Sequence, residues 1–222
     1  MERILVVGGL SGIGKAATQN LKQSFLVETL SRTEYADPQI KHHSLDATDS
    51  NKLKEYFKNY PSYDHIVVTA AETPIGSLES LKDEDIIKAI NQKLLLSYYV
   101  ARDIPWEKSI ILISGFLSAR PGPASALQSA INAGIEGLTR AIAVEKAPKR
   151  ANCISPGTID AGLWDKINPN IRATIMEKAK SRTLINKVGN PLQIAQAIRF
   201  AIECEFLTGE TIYVDGGARF GC

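Results

Sequence analysis

The chain has 222 residues, of which 44% are hydrophobic and 23% are charged, as in a globular domain with a full core. Its 26 basic and 24 acidic residues leave a net charge of +2 without a basic, aromatic-rich cluster, which argues against a nucleic-acid surface. No apolar run approaches the roughly 20 residues of a membrane span.

The first apolar run, residues 4–7, is too short for a signal peptide and ends at glycines. The three cysteines, Cys153, Cys204 and Cys222, share no metal-type spacing. We therefore expect free thiols, no metal site and a cytoplasmic location.

Short apolar runs alternate along the chain with longer amphipathic stretches, the pattern of βαβ units. We predict strands at residues 4–7, 25–30, 40–45, 66–69, 110–114, 151–154 and 211–214. Helices are predicted at residues 12–21, 50–60, 83–102, 124–145 and 192–203, with another near 171–180. Residues 1–222 thus form one α/β domain, a doubly wound parallel sheet with helices on both faces and a ligand crevice where the strand order reverses.

The first strand runs into the first helix through a glycine-rich turn, Gly8-Gly9-Leu10-Ser11-Gly12-Ile13-Gly14. In such a turn Gly8 permits the tight bend, Gly12 lets the backbone approach a pyrophosphate, and Gly14 lets the helix pack closely on the sheet. The N terminus of the helix offers free N–H groups and a positive dipole end. An ordinary strand–helix turn is the alternative, but the strand before and the helix after favour a dinucleotide.

This turn resembles the glycine signature of the short-chain dehydrogenase/reductases, with Val7 where Thr is usual. Residues 152–157 (Asn-Cys-Ile-Ser-Pro-Gly) resemble the family segment beside the nicotinamide, and residues 207–217 resemble its C-terminal strand and turn. The resemblance covers nearly the whole chain. It implies a Rossmann fold that binds a nicotinamide dinucleotide, with Asp46 holding the adenine ring.

The residues after the second strand, Ser31-Arg32-Thr33, determine which nucleotide we predict. The planar guanidinium of Arg32 suits the 2′-phosphate of NADP(H), and Ser11 offers a further contact. Glu28 is the acidic rival, but it lies about three residues, or roughly 10 Å, before the strand end. We therefore predict NADP(H), with a solvated surface role for Arg32 as the alternative.

The residues that we assign to the cofactor are Gly8, Leu10, Ser11, Gly12, Ile13, Gly14, Ser31, Arg32, Thr33, Asp46, Ala47, Thr69, Ala70, Ala71, Asn132, Pro156, Gly157 and Ile159. Thr69-Ala70-Ala71 replaces the usual family residues after the fourth strand. Ala161 stands where the resemblance implies a Thr near the nicotinamide carboxamide. The three histidines, His42, His43 and His65, are expected to pack or lie at the surface, away from the crevice.

The resemblance implies a catalytic Ser, Tyr, Lys and Asn, but only one of the four is present. Matching the sequence on both sides places Gly115 at the Ser position, Gln128 at the Tyr position and Asn132 at the Lys position. Shifting the match by one residue restores neither Tyr nor Lys. Asn91 matches the helical Asn. The predicted site is therefore a degenerate set of Asn91, Ser114, Gln128 and Asn132.

A Gln amide donates a hydrogen bond but releases no proton near neutral pH. Loss of a positioned acid typically lowers a rate by about 10²–10⁴-fold. Two functions fit this pattern. One is an NADP(H)-dependent oxidoreductase in which water or Ser114 supplies the proton, and the other is a non-catalytic NADP(H)-binding protein such as a redox sensor or an assembly partner.

A small-molecule substrate would contact Phe116, Leu163 and Trp164, which indicates a partly apolar pocket. The resemblance also implies a homo-oligomer, a tetramer or a dimer, paired through the helices at 83–102 and 124–145. The apolar side chains of these helices exceed one sheet-facing stripe. They are Leu94, Leu95, Leu96, Ile131, Ile135, Leu138 and Ile142.

Overall fold

The computed structural model describes residues 1–34, 39–71, 73–162, 164 and 167–221. These residues form one sheet of seven parallel strands in the order β3-β2-β1-β4-β5-β6-β7. The strands are β1 (Arg3–Val7), β2 (Leu26–Ser31), β3 (Lys41–Ser44), β4 (Tyr63–Val68), β5 (Trp106–Ile113), β6 (Arg150–Pro156) and β7 (Thr211–Val214). The predicted doubly wound α/β fold is confirmed.

Helices cover both faces of the sheet. They are α1 (Gly12–Leu21), α2 (Ser50–Phe57), α3 (Asp83–Ala89), α4 (Leu96–Asp103), α5 (Ala126–Glu145), α6 (Pro169–Ser181) and α7 (Pro191–Glu203). A π-helical segment (Ile90–Leu95) joins α3 to α4, and a short 3₁₀ turn (Phe116–Ser118) follows β5.

Several predicted boundaries differ from the observed ones by one to four residues, three of them for local physical reasons. Helix α5 starts two residues later than predicted, because Ala124 has a left-handed φ of 58°. Strands β4 and β5 start three and four residues earlier than predicted, because polar residues at their amino ends interrupt the apolar pattern. The helix predicted at 83–102 contains the π-helical segment, at whose end the Leu96 N–H donates to the Asn91 carbonyl.

The core lies in two layers, one on each face of the sheet. Leu5 and Val7 of β1 face the layer covered by α2, α4 and α5, whereas Ile4 and Val6 face the layer covered by α1 and α7. This alternation follows from the two-residue period of a strand.

The strand order reverses between β1 and β4, since β2 and β3 lie on one side of β1 and β4 lies on the other. Ligands of such sheets bind at this point, outside the carboxyl ends of the strands. Here those ends are Val7 and Val68, so we expect the ligand crevice above them. In the described part of the chain, every helix is too short or too polar to cross a bilayer.

Candidate functional site

The glycine turn lies at the carboxyl edge of the sheet, between β1 and α1. Gly8 and Gly12 have φ angles of 84° and 47°, a left-handed backbone that favours glycine. A Cβ added at Gly14 would lie 2.1 Å from the Gly8 carbonyl oxygen, so α1 can pack here only if residue 14 has no side chain. Gly8 and Gly14 therefore serve the turn and the helix packing as predicted.

The N terminus of α1 has the donors that a diphosphate needs. Ser11 is the N-cap residue, and its exposed side chain makes no capping hydrogen bond. The N–H groups of the first turn have no acceptor within the helix. Leu10 and Ile13 are half-buried on either side of this donor set. The geometry fits the diphosphate of a dinucleotide.

Thr69 and Ala70, directly after β4, support the glycine turn. The Thr69 hydroxyl and the Ala70 N–H donate to the Val7 carbonyl at 2.9 and 3.2 Å. A Cβ on Gly8 would lie 2.6 Å from the Ala70 nitrogen, so the two loops pack backbone to backbone. Thr69 and Ala70 thus shape the turn, while Ala71 is exposed beside it.

Arg32 follows the carboxyl end of β2, the position predicted to bind the adenosine ribose. The Ser31 hydroxyl donates to the Thr33 carbonyl at 3.1 Å, and His42 Nε2 lies 2.8 Å from the same carbonyl oxygen. His42 thus has the packing role predicted for it. The pairing of β3 with β2 places His42 opposite Thr29, from where its ring supports the turn that carries Arg32.

Glu28, the acidic rival of Arg32, lies three residues before the end of β2. Its carboxylate accepts hydrogen bonds from Arg3, His43 and Tyr63 at 2.9, 2.8 and 2.8 Å. Burial acts to raise the pKa of Glu28, but the hydrogen bonds from His43, Arg3 and Tyr63 outweigh it and hold that pKa well below its usual range. Glu28 is thus an ionised structural group, and that it lies too far back to touch the ribose stays a prediction.

Asp46 follows β3, and its carboxylate turns towards its own loop. Oδ1 accepts hydrogen bonds from the Thr48 N–H and hydroxyl at 2.9 and 2.7 Å. Asp46 is exposed at the edge of the crevice, whereas the neighbouring Ala47 is buried. A contact of Asp46 with adenine stays a prediction, and the Ala47 side chain belongs to the core.

The nicotinamide side of the crevice begins where β6 ends at Pro156. The Gly157 N–H donates to the Val214 carbonyl at 3.0 Å, and a Cβ at Gly157 would lie 2.8 Å from the Asp215 Cα. The side chain of Ile159 is buried between the sheet and α7. A cofactor would therefore contact Ile159 through its backbone, and the assignment of Ile159 to the cofactor stays a prediction.

Two aromatic side chains predicted to line a substrate pocket, Phe116 and Trp164, are half-buried. The third predicted pocket residue, Leu163, lies outside the described residues, as does Cys222. The other two cysteines, Cys153 and Cys204, are free thiols.

Helix α5 carries Gln128, Asn132 and Glu136 on one face, because residues four apart lie one turn above another. Gln128 is half-buried, and its Nε2 lies 3.4 Å from Thr73 Oγ1, a long hydrogen bond to the loop after β4. Asn132 is only 5% exposed. The residues at the predicted Tyr and Lys positions thus share one helical face as expected.

Lys93, which is outside the set predicted from the sequence, also lies at this site. It is 8% exposed, and its ammonium donates to Asn132 Oδ1 at 2.6 Å and to the Ser114 carbonyl at 2.9 Å. Burial lowers the pKa of Lys93 to about 8, while Cys153 and Glu136 act in the opposite direction. A cation therefore enters the site from the helical stretch that precedes β5.

The sequence contains a signal for this lysine. At helical spacing Lys93 shares a face with Ala89, Leu96 and Val100, all of which are buried. A lysine on such an apolar stripe is rare unless it is paired. Asn91 lies in the same π-helical segment and is half-buried. The family resemblance draws attention to Asn91 and α5 instead of Lys93.

Ser114 directs its hydroxyl towards a carboxylate. It donates to Glu136 Oε1 at 3.1 Å, and Ser118 donates to the same oxygen at 2.5 Å. The Tyr213 hydroxyl lies 3.4 Å from Glu136 Oε2. Because the Ser114 hydrogen is engaged with Glu136, this geometry gives no support to the prediction that Ser114 protonates a substrate.

At the opposite, amino edge of the sheet a cleft of about 480 Å³ is lined by polar residues that include Lys108, Arg150 and His65. His65 Nδ1 lies 2.7 Å from Ser109 Oγ, and its Nε2 lies 3.1 Å from Glu2 Oε2. This row resembles a catalytic triad, but Ser109 is fully buried and cannot reach a substrate. His65 therefore packs, as predicted.

Among the described residues, no three His, Cys, Asp or Glu side chains are grouped so that they could hold a metal ion.

The chain matches a family model described as enoyl-(acyl carrier protein) reductase over residues 10–219. It belongs to the short-chain dehydrogenase/reductase family. It is similar to the 3-oxoacyl-[acyl-carrier-protein] reductase FabG of Thermotoga maritima, with 28% identity over 96% of each chain.

Two solved structures share the fold along nearly their whole length. A small-chain dehydrogenase in complex with NADPH is 32% identical, with a TM-score of 0.88 and 99% of both chains covered. ElxO with NADP bound is 26% identical, with a TM-score of 0.84 over 98% of this chain and 99% of that one. Both similar proteins hold the type of nucleotide that the sequence predicts here.

Proposed function

We propose that this protein is an NADP(H)-dependent oxidoreductase with an atypical catalytic site, in which side-chain amides replace the family Tyr and Lys. The observation that carries the proposal is the position of the Asn132 amide. A Cβ on Gly115 would lie 2.9 Å from Asn132 Nδ2, so the amide stands at the end of β5, on the sheet edge that carries the glycine turn.

The choice of NADP(H) rests on two residues. Arg32 follows the end of β2, and the carboxylate of Glu28 is already hydrogen-bonded to Arg3 and Tyr63. A guanidinium binds two phosphate oxygens at once, and residues 31–33, directly at the end of β2, carry no carboxylate. The two similar structures with bound NADPH and NADP support the same choice.

A bound nicotinamide supplies or accepts a hydride at the carbon of a carbonyl or alcohol. The chain must then stabilise the substrate oxygen as its negative charge changes. Gln128 and Asn132 can donate hydrogen bonds to that oxygen, but neither can release a proton near neutral pH. Water completes the proton transfer, and we expect a slow enzyme because a positioned acid is worth about 10²–10⁴-fold in rate.

The substrate class that fits is a small carbonyl or enone compound with an apolar part. Phe116 and Trp164 supply half-buried aromatic surface, and the amides supply the polar contact. We also propose a cytoplasmic location, because Cys153 and Cys204 are free thiols, which suit a reducing compartment.

The enzymatic function is tested by single-turnover oxidation of bound NADPH with a panel of carbonyl and enone compounds. We expect at least one compound to react at a rate below about 1 per second, the lower end of typical enzyme rates. Asn132→Leu, which removes the amide, should abolish the reaction, and titration of this variant with NADPH separates a lost substrate contact from the predicted contact of Asn132 with the cofactor. Tight binding without oxidation by any compound would instead support a non-catalytic NADP(H)-binding protein.

The nucleotide is tested by titration with NADPH and NADH. Arg32→Ala should weaken NADPH binding by about 10–100-fold, the value of a hydrogen-bonded charge pair, and leave NADH binding unchanged. Arg102→Ala, at the exposed end of α4, is the matched control and should change neither affinity. Equal affinities for the two nucleotides in the unmodified protein would contradict the assignment.

A further inference from the structure

We propose, building on the function proposed above, that Lys93 is a positioning residue that holds the Asn132 amide with its Nδ2–H pointing over Gly115, where it binds the substrate oxygen. The ammonium of Lys93 has two fixed partners, Asn132 Oδ1 at 2.6 Å and the Ser114 carbonyl at 2.9 Å. Asn132 is then the residue that touches the substrate, and Lys93 acts through it.

The ammonium decides which way the amide faces. It has donors only, so it pairs with Oδ1 and not with Nδ2. Nδ2 is thereby turned to the other side, towards Gly115, where an added Cβ would lie only 2.9 Å away. Because Gly115 has no side chain, the space beside Nδ2 is open to a ligand. Without Lys93, the Asn132 amide could present either atom to that space.

The charge of Lys93 is balanced inside the same site. The titratable groups that face it in the described structure are Glu136 of α5 and the Cys153 thiol of β6. Burial lowers the pKa of Lys93 to about 8, so the ammonium form persists at neutral pH and is lost as the pH rises through that value. The orientation of Asn132 should change over the same pH range.

The Asn132 Nδ2–H donor, whose Oδ1 is bonded to the Lys93 ammonium, can stabilise a substrate oxygen that gains negative charge. When hydride adds to the carbonyl carbon, the π electrons of the C=O bond move to the oxygen, which then takes a proton from water to give the alcohol. Asn132 Nδ2–H stabilises the oxygen before that proton arrives. Lys93 strengthens this donor by polarising the amide through Oδ1, and it keeps its own protons.

The orientation is tested in the nucleotide-free protein by NMR with isotope-labelled asparagine. The Asn132 side-chain amide signals, identified by their loss in Asn132→Asp, should shift with a midpoint near the Lys93 pKa of about 8. The shift should disappear in Lys93→Met and persist in Lys88→Met, which removes an exposed lysine of α3. Asn132 amide signals that are the same at neutral pH in Lys93→Met and in the unmodified protein would overturn the proposal.

Single-turnover oxidation of bound NADPH tests the effect on the substrate. Asn132→Asp keeps the side-chain shape and the bond to Lys93 but has no donor at Gly115, so its rate should fall about 100-fold. Lys93→Met should lower the rate about 10–100-fold, leave NADPH affinity unchanged and remove the decline of the rate above the Lys93 pKa. An unchanged rate in Asn132→Asp would overturn the proposal.

The orientation of Asn132 by Lys93 and the contact of Asn132 with the substrate are tested by separate experiments. If none of the tested carbonyl compounds causes the unmodified protein to oxidise NADPH, the proposed function and the substrate contact of Asn132 are both wrong. The NMR titration then still decides whether Lys93 orients the Asn132 amide.

Discussion

Gln128 and Asn132, on the crevice face of α5, stand at the positions of the family Tyr and Lys. Because Lys93 contacts Asn132, it changes the effect that we expect from substituting Tyr and Lys at these two positions. A lysine at position 132 would place a second ammonium beside Lys93, whose Nζ now lies 2.6 Å from Asn132 Oδ1. Like charges this close in a buried site repel each other. Gly115→Ser would in addition require the side chain at 132 to move, since the new Cβ would lie 2.9 Å from Nδ2.

We therefore expect Gln128→Tyr/Asn132→Lys to unfold at lower denaturant concentration and to gain little reductase activity. Adding Lys93→Met should restore stability and raise the single-turnover rate with a simple ketone by about 10–100-fold over the unmodified protein, because one cation then lowers the Tyr pKa. Gln128→Tyr alone is the control and should gain little, since an unassisted Tyr has a pKa near 10. Equal rates in the double and triple variants would show that Lys93 does not interfere.

At the scale of the elements, the strand–turn–helix unit at the N terminus depends on the absence of a side chain at Gly14. A Cβ there would lie 2.1 Å from the Gly8 carbonyl oxygen, and neither group can move without disturbing β1 or α1. Gly14→Ala should therefore destabilise the protein by about 3 kcal/mol, as overpacking does, and abolish NADPH binding.

Gly137→Ala in α5 is the matched control for this prediction. An added Cβ there would meet only Arg140 Nη2 at 3.9 Å, so the better helix propensity of alanine should raise stability by about 0.5–1 kcal/mol. Denaturant unfolding and nucleotide titration measure both variants. Similar effects of the two substitutions would show that Gly14 is not specially constrained.

The fold and the nucleotide edge can be predicted from the sequence because their signals are local. Three signals depend only on short stretches of regular backbone. They are the spacing of the glycines, the residue after β2, and the position of Glu28 three residues before the end of that strand. Lys93 depends instead on a π-helical segment and on a partner, Asn132, that lies 39 positions away in sequence. Helical periodicity places Lys93 on a buried face, but it predicts neither the π-helical segment nor the partner. The support that His42 gives to Thr33 likewise depends on a residue of a neighbouring strand.

For the molecule as a whole, Glu28 links stability to pH. Its pKa in the folded protein lies below the ordinary value of 4.5, so its contribution is complete above that pH and is lost as the pH falls below it. Glu28→Gln should lower the free energy of unfolding by about 2–3 kcal/mol at pH 7, the value of hydrogen bonds to a charged group.

Denaturant unfolding at several pH values tests this dependence. The difference between Glu28→Gln and the unmodified protein should shrink as the pH falls below about 4.5. Glu145→Gln, at the exposed end of α5, is the control and should change stability by less than about 0.5 kcal/mol. A difference that stays constant with pH would contradict the role of the ionised Glu28.

Assembly remains a prediction from the family resemblance, and the structure corrects the apolar residues on which it was based. Leu96, Ile131, Ile135 and Ile142 are buried within the chain itself. The large apolar side chains that stay exposed on α3 and α5 include Ile87 and Val144, at 59% and 80% exposure. Light scattering should give the mass of a dimer or tetramer, which Ile87→Glu/Val144→Glu should lower. A monomer at micromolar concentration would rule the assembly out.

The π-helical segment Ile90–Leu95 also bears on how the site tolerates insertions and deletions. An α-helix turns by about 100° per residue, so deleting one residue here would restore a continuous helix only by rotating α3 against α4. Lys93 lies inside this segment, so the contact of its side chain with Asn132 depends on the segment's length. A chain shorter by one residue at this turn would keep the seven-stranded sheet but direct another side chain into the crevice. The presence of a lysine in this site therefore depends on the number of residues in the π-helical segment as well as on the residue type at position 93.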